Sequence, residues 1–118
     1  SVLPANITPL IRGIQDLSEQ IGVRALCFGH AGDGNVHVNL LKCDLPMEDF
    51  EARLPEFRDQ LYGLTLSLGG TLTGEHGIGA TRKGYLSRAL GDLHVDLMRR
   101  IKDVFDPNHI LNPGKIFA

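Results

Sequence analysis

The chain of 118 residues carries 12 basic and 14 acidic side chains, has a net charge of −2, and is 42% apolar. This balance lacks the basic excess of a nucleic-acid-binding surface, and no apolar run approaches the ~20 residues that a membrane-spanning helix needs. A chain of this length can build its own core, so we predict a single domain over residues 1–118.

The first predicted elements are a helix and two strands. Thr8 followed by Pro9 is typical of a helix start, and Gly22 ends the pattern. The apolar residues between them recur at helical spacing: Leu10, Ile11, Ile14, Leu17 and Ile21. Strands are predicted over residues 23–28 and 35–41, with a turn at the glycine-rich segment 32–34.

The second strand alternates polar and apolar side chains, which places the two kinds on opposite faces. Its polar residues are Asn35, His37 and Asn39, and its apolar residues are Val36, Val38 and Leu40. We predict that the polar face is the working surface.

Two further helices are predicted in the second half of the chain. The first is marked by Phe50, Leu54, Phe57, Leu61, Leu64 and Leu68, and Pro55 inside this pattern predicts that the continuous helix begins near it. A short strand is expected over residues 71–73. The last helix is amphipathic, with Leu90, Leu93, Leu97, Ile101 and Val104 on one face, and it ends before Pro107. An antiparallel sheet with helices on one face makes the predicted fold class α+β.

The two cysteines, Cys27 and Cys43, are isolated and lack the spacing of a metal or redox motif. We expect reduced thiols in a cytosol-like compartment.

The glycine-rich turn carries two histidines, His30 and His37. If the chain reverses at residues 32–34, the two lie close to opposite each other, near enough for both imidazoles to bind one cation. The alternative is a hairpin with two solvent-facing histidines. Asp33 is interpreted as a turn residue that bonds its own backbone.

A second glycine-flanked segment, residues 74–79, contains Glu75 and His76. Glu75 would complete a two-histidine, one-carboxylate set suited to zinc, iron or manganese, although a solvated acid is the alternative. His76 has the chemistry of a proton acceptor for alcohol oxidation, and a further ligand or a packing residue is equally compatible with its position. Asn39 could hydrogen-bond a substrate carboxylate or hydroxyl.

Three motifs carry a family resemblance. GHAGDGNVHVNL at residues 29–40, GGTLTGEHGIGATRKGYL at 69–86 and IKDVFDPNHILNPGKIF at 101–117 resemble the C-terminal part of the FAD-linked oxidase family. This family contains the glycolate oxidase D subunit, D-lactate dehydrogenases and D-2-hydroxyglutarate dehydrogenase. The motifs occur in the family's order and cover nearly the whole chain.

The resemblance implies oxidation of a D-2-hydroxy acid to the 2-oxo acid, with a hydride passing from the substrate to FAD. The family's metal ligands correspond to His30, His37 and Glu75, with zinc as the first choice and iron or manganese as alternatives. His76 corresponds to the general base and Asn39 to a substrate-binding position. Asn112 and Lys115 correspond to a segment near the flavin, so they are expected to be cofactor-binding.

The resemblance also implies what the sequence lacks. The family's FAD-binding domain is absent, and the chain would be the latter portion of a ferredoxin-like substrate domain. We therefore expect a fragment that folds but has no redox activity alone, with an open sheet edge covered by a homo-oligomer or partner subunits. The electron acceptor is open, and the expected location is cytoplasmic, or the mitochondrial matrix in a eukaryote. The alternative functions are a stand-alone module that binds metal or small acids, and a structural remnant.

Overall fold

The computed structural model describes residues 1–117, which form two compact units, one over Ser1–Thr71 and one from Leu72 onward. The first unit contains α1 (Ile7–Ile21), β1 (Arg24–His30), β2 (Asn35–Leu41) and α2 (Met47–Ser67). The second contains α3 (Leu86–Leu90) and α4 (Asp92–Phe105). The two strands pair antiparallel, and the predicted α+β class is confirmed.

The core of the first unit lies between its two helices and one face of the hairpin. Its most deeply buried residues are Leu10 and Ile14 of α1, Val23, and Phe57 of α2. The inward-facing side chains of the hairpin pack against this core: Ala25, Cys27, Val36, Val38 and Leu40. Because apolar and polar residues alternate along β2, the opposite face of the hairpin carries its polar side chains. The helices therefore position the hairpin and leave its polar face accessible.

The boundaries of α1 confirm one end of the prediction and correct the other. The helix ends at Gly22, whose N–H donates to the Ser18 carbonyl at 2.9 Å. It begins at Ile7, however, so Thr8 is not the N-cap. Asn6 precedes the helix, and its side-chain amide donates to the Leu68 carbonyl at 2.9 Å. This long-range bond sets where the chain enters the helix.

The prediction that α2 begins near Pro55 is wrong, because the helix runs unbroken from Met47 to Ser67 with Pro55 inside it. Pro55 is exposed, while Phe50, Phe57 and Leu61 on the same helix pack on the core. Burial of this apolar face on both sides of the proline outweighs the one backbone hydrogen bond that proline cannot donate.

The predicted strand over residues 71–73 does not form. The Thr71 N–H donates to the Ser1 carbonyl at 2.7 Å, and the Ser1 ammonium donates to the Thr71 carbonyl at 3.0 Å. The segment thus pairs with a single residue, which is too little for a strand.

In the second unit, the predicted last helix exists as α4, while Leu90 of the predicted pattern belongs to α3. The apolar stripe of the pattern is not the side that this unit buries. The buried apolar residues are Leu72, Leu86 and Val95. The stripe that defined the helix is exposed, from 45% at Leu90 to 82% at Leu93. This happens because α4 turns Val95 and its C-cap Asp106 inward, on the opposite side of the helix. Within residues 1–117, no helix has the length and apolar character needed to cross a bilayer.

Candidate metal and substrate site

The open face of the hairpin brings together the two histidines of the first glycine-rich motif. His30 is the last residue of β1, and His37 is the third residue of β2. Their ring centroids are 6.1 Å apart, with one ring edge directed at the other. His30 is exposed and His37 is half-buried, so both imidazoles can be reached from solvent.

The strand register refines the prediction that these histidines lie close to opposite each other. Asn35 is opposite His30, and Phe28 is opposite His37. The histidines are therefore diagonal neighbours on one face, a separation that long and aromatic side chains still span. The Phe28 ring stacks on His37, with centroids 5.2 Å apart, and limits the rotation of that imidazole.

The turn between the histidines is held by the N-terminus of the chain. Residues Ala31–Asp33 form a 3₁₀ turn that includes Asp33, and Gly34 follows it in the left-handed conformation with φ 66°. The Gly34 carbonyl accepts hydrogen bonds from the Val2 N–H at 2.9 Å and the Ser1 hydroxyl at 3.0 Å. A Cβ at residue 34 would lie 1.7 Å from the Val2 carbonyl oxygen, so only glycine fits this close approach.

Asn39 extends the same polar face along β2. It is exposed and lies opposite Leu26 of β1. It also contributes to the lining of an open cavity of about 460 Å³ between β2 and α2. The predicted placement of Asn39 on the polar face of β2 agrees with its exposure, and its substrate-binding role stays a prediction.

The second unit carries Glu75 and His76 together in an exposed loop. The His76 Nε2 and the Glu75 Oε1 are 3.9 Å apart, and their side chains are 73% and 47% exposed. The loop is held at Gly77, whose N–H donates to the Thr73 hydroxyl at 2.8 Å and whose carbonyl accepts from Arg82 at 3.0 Å. The two candidate side chains thus stand on a short loop whose backbone is held by these hydrogen bonds.

The C-terminal segment places Asn112 and Lys115 around an open cavity of about 180 Å³. Arg99 and Lys102 of α4 also line it, and the Arg99 guanidinium lies 5.2 Å from the centre of the Phe117 ring. The cavity therefore combines basic side chains, an amide and an aromatic ring.

Lys102 and Asp106 form a polar pair in this segment that the sequence motifs did not indicate. The two form a salt bridge one helical turn apart, and Asp106 is only 4% exposed. The sequence pattern identifies Asp106 only as the residue before a helix-ending proline. The signal that could have revealed the pair is the spacing of four between a lysine and an aspartate in the last turn of a helix.

Both cysteines are free thiols. Cys27 faces the core, and burial raises the pKa of its thiol, which keeps it protonated and unreactive near neutral pH. The Cys27 thiol is therefore turned away from the polar face that carries the two histidines.

Comparison with known proteins agrees with the three motifs. Residues 1–116 match the family described as FAD linked oxidases, C-terminal domain. The chain belongs to this family.

The curated relatives include two D-lactate dehydrogenases. That of Archaeoglobus fulgidus is 44% identical over 98% of this chain and 25% of its own length. That of Anaerostipes hadrus is 40% identical over 98% of this chain and 24% of its own length. The glycolate oxidase subunit GlcD of Bacillus subtilis is 37% identical over 97% of this chain and 24% of its own length. The chain thus spans about a quarter of the length of these relatives.

Proposed function

We propose that residues 1–118 form the substrate- and metal-binding domain of an FAD-dependent oxidoreductase that converts a D-2-hydroxy acid to the 2-oxo acid. The observation that carries this proposal is the pair of imidazoles of His30 and His37 on the open face of the hairpin, in a chain of the FAD-linked oxidase family. The names of the relatives, D-lactate dehydrogenase and glycolate oxidase subunit, support a small 2-hydroxy acid as the substrate class.

The donor set fits a divalent cation. Zinc binds imidazole nitrogen at about 2.0–2.1 Å, so two rings 6.1 Å apart between centroids are near the span that one ion bridges. Glu75 is proposed as the third ligand, which leaves positions open for the substrate. Two imidazoles and one carboxylate suit zinc, iron or manganese, and we take zinc as the first choice. The ion supplies Lewis-acid polarisation of the substrate hydroxyl and carboxylate.

The remaining candidate residues bind the substrate, accept its proton or contact the flavin. Asn39 donates or accepts a hydrogen bond at the substrate carboxylate or hydroxyl and so orients the acid. His76 takes the hydroxyl proton, because a neutral imidazole is a good acceptor near neutral pH. A bound FAD would supply the two-electron acceptor that oxidation of the alcohol requires. Asn112 and Lys115 are proposed to contact the flavin.

Zinc titration by calorimetry tests this proposal. The chain is expected to bind one zinc ion per molecule. His37→Ala should weaken the affinity by at least about 100-fold, because even groups behind the ligands change metal affinity 10–100-fold.

His94→Ala is the matched control, since His94 is an exposed histidine whose ring bonds the Leu90 carbonyl at 3.0 Å. It should bind zinc like the unchanged chain. Equal affinity in the unchanged chain and in His37→Ala, or no saturable binding in either, would contradict the proposal.

A further inference from the structure

Asp106 is the C-cap residue of α4, and both oxygens of its carboxylate accept hydrogen bonds. Asp106 is 4% exposed, and its Oδ1 accepts a hydrogen bond from the Ile110 N–H at 3.0 Å. Its Oδ2 accepts from the Leu111 N–H at 3.1 Å and from the Lys102 ammonium. A buried charge is tolerated only when it is paired and hydrogen-bonded in this way.

Lys102 also binds the same turn from its other side. Its ammonium donates to the Leu111 carbonyl at 3.1 Å as well as to Asp106. The N–H and the C=O of Leu111 are therefore bound by two side chains one helical turn apart. We call Lys102 and Asp106 together the tail clamp.

The segment after the tail clamp contains backbone conformations that neighbouring contacts must hold in place. Asn112 and Ile116 have positive φ angles, 45° and 65°, which residues with a Cβ adopt at a cost in free energy. Non-glycine residues keep such conformations only when surrounding contacts hold them. The tail clamp is anchored directly before the first of these two residues.

The far end of the same segment is attached to the loop that carries Glu75 and His76. The Ile116 N–H donates to the Gly79 carbonyl at 2.7 Å, and Gly79 closes that loop. The Lys83 ammonium donates to the Gly114 carbonyl at 3.2 Å. Residues 110–116 thus run from the tail clamp at one end to the loop at the other.

We propose that Asp106 is a positioning residue. With Lys102 it fixes the conformation of residues 110–116, and through the bond from Ile116 to Gly79 it fixes the loop that presents Glu75 and His76. Asp106 itself touches neither metal nor substrate. The link to metal binding rests on the proposed function, whereas the link from Asp106 to Gly79 does not. A buried ion pair adds little net stability compared with apolar packing, so its value here lies in selecting one backbone arrangement.

Amide hydrogen exchange, measured by NMR on Asp106→Asn, tests the structural link. This substitution keeps the size of the side chain but removes its charge and one acceptor. The Ile116 amide should then exchange at least about 10-fold faster, while the Gly91 amide, bonded to the Ser87 carbonyl in the same unit, should not change.

Asp96→Asn is the matched control, because Asp96 pairs with Arg100 at the same spacing on the exposed side of α4. It should leave the exchange of Ile116 unchanged. If only the Ile110 and Leu111 amides lose protection in Asp106→Asn, Asp106 has a local role and the proposal is overturned. Should Asp106→Asn fail to fold, Lys102→Met leaves both backbone bonds of Asp106 in place and should accelerate Ile116 exchange by a smaller factor. No acceleration there would also overturn the proposal.

Zinc calorimetry on the same variants tests the functional link. Asp106→Asn should bind zinc about 10-fold more weakly than the unchanged chain, with the same stoichiometry, and Asp96→Asn should not differ from it. Absence of zinc binding by the unchanged chain would defeat the proposed function and leave the exchange result to decide the structural link. Zinc binding of equal affinity in Asp106→Asn would defeat the positioning role.

Discussion

At the scale of single residues, the candidate site depends on side chains whose freedom is limited by their neighbours. The His37 ring has Phe28 stacked on it at 5.2 Å and His30 beside it at 6.1 Å. Ordering two side chains around an ion costs conformational entropy, and part of that cost is removed when packing already restricts them. The packing around His37 would therefore lower the entropic cost of binding the proposed ion.

Asp106 makes the folded state less stable as the pH falls into the acid range. The hydrogen-bonded Lys102 ammonium, helped by the Ile110 and Leu111 amides, holds the pKa of Asp106 below its ordinary value despite burial. In the unfolded chain an aspartate titrates near about 3.9. Because the folded pKa is lower, the stabilisation is complete above about 3.9 and is lost as the pH falls through the folded pKa.

We therefore predict that Asp106→Asn lowers the melting temperature most near neutral pH. The difference from the unchanged chain should shrink as the pH is lowered below about 3.9. Thermal unfolding followed by circular dichroism over this range measures it. A difference that stays constant into strong acid would show that the charge of Asp106 contributes nothing.

At the scale of elements, the backbone of the hairpin comes very close to other backbone atoms at two of its glycines. Gly34 meets the Val2 carbonyl, and a Cβ at Gly29 would lie 2.2 Å from the Asn35 carbonyl oxygen. Both glycines have positive φ angles, 66° and 153°. These constraints place His30 and His37 on one face, so the glycines act on the site through the backbone.

Alanine substitutions at two glycines of the turn test whether the close backbone approach requires glycine. Gly34→Ala should destabilise the chain by about 2–4 kcal/mol, because it combines a clash with a strained backbone. Gly32→Ala, two residues earlier in the same turn, meets no atom within 4 Å. It should be neutral or stabilising by up to about 1 kcal/mol. Urea unfolding measures both, and equal costs for the two variants would contradict this account of the turn.

Much of the hairpin could be predicted from sequence because its signals are local. The alternation in β2 predicted its bounds and its polar face, and Gly22 predicted the end of α1. The diagonal placement of the histidines could not be predicted, since it depends on the strand register. The continuity of α2 through Pro55 could not be predicted either, because it depends on packing by residues distant in sequence. The tail clamp is local by contrast, and the spacing of four between Lys102 and Asp106 was a signal in the sequence.

At the scale of the whole molecule, many of the exposed large apolar side chains lie on α4 and in the residues that follow it. Within the described part of the chain they include Leu93, Leu97, Ile101, Val104, Phe105, Ile110 and Leu111. Large exposed apolar surfaces are unusual on monomeric proteins, so we expect these side chains to contact another protein surface. This exposure is also why an amphipathic pattern predicted the helix correctly and its burial wrongly.

Substitutions on the two sides of α4 should differ in their effect on stability, because one side is exposed and the other is buried. Leu93 is 82% exposed, so Leu93→Gln should change the free energy of unfolding by no more than about 0.5 kcal/mol. Val95 is 7% exposed, and Val95→Ala should cost about 1–3 kcal/mol. Urea unfolding of both variants measures the contrast. A large loss in Leu93→Gln would mean that this face is covered in solution.

We propose that a metal held by His30 and His37 orients a 2-hydroxy acid. Cobalt(II) in place of zinc makes this visible, because its absorption bands respond to the ligands around the ion. Addition of D-lactate to the cobalt-loaded chain should shift the bands saturably, at least about 10-fold more tightly than propionate, which lacks the hydroxyl and cannot chelate. Identical responses to the two acids, or bands that neither acid changes, would contradict the claim.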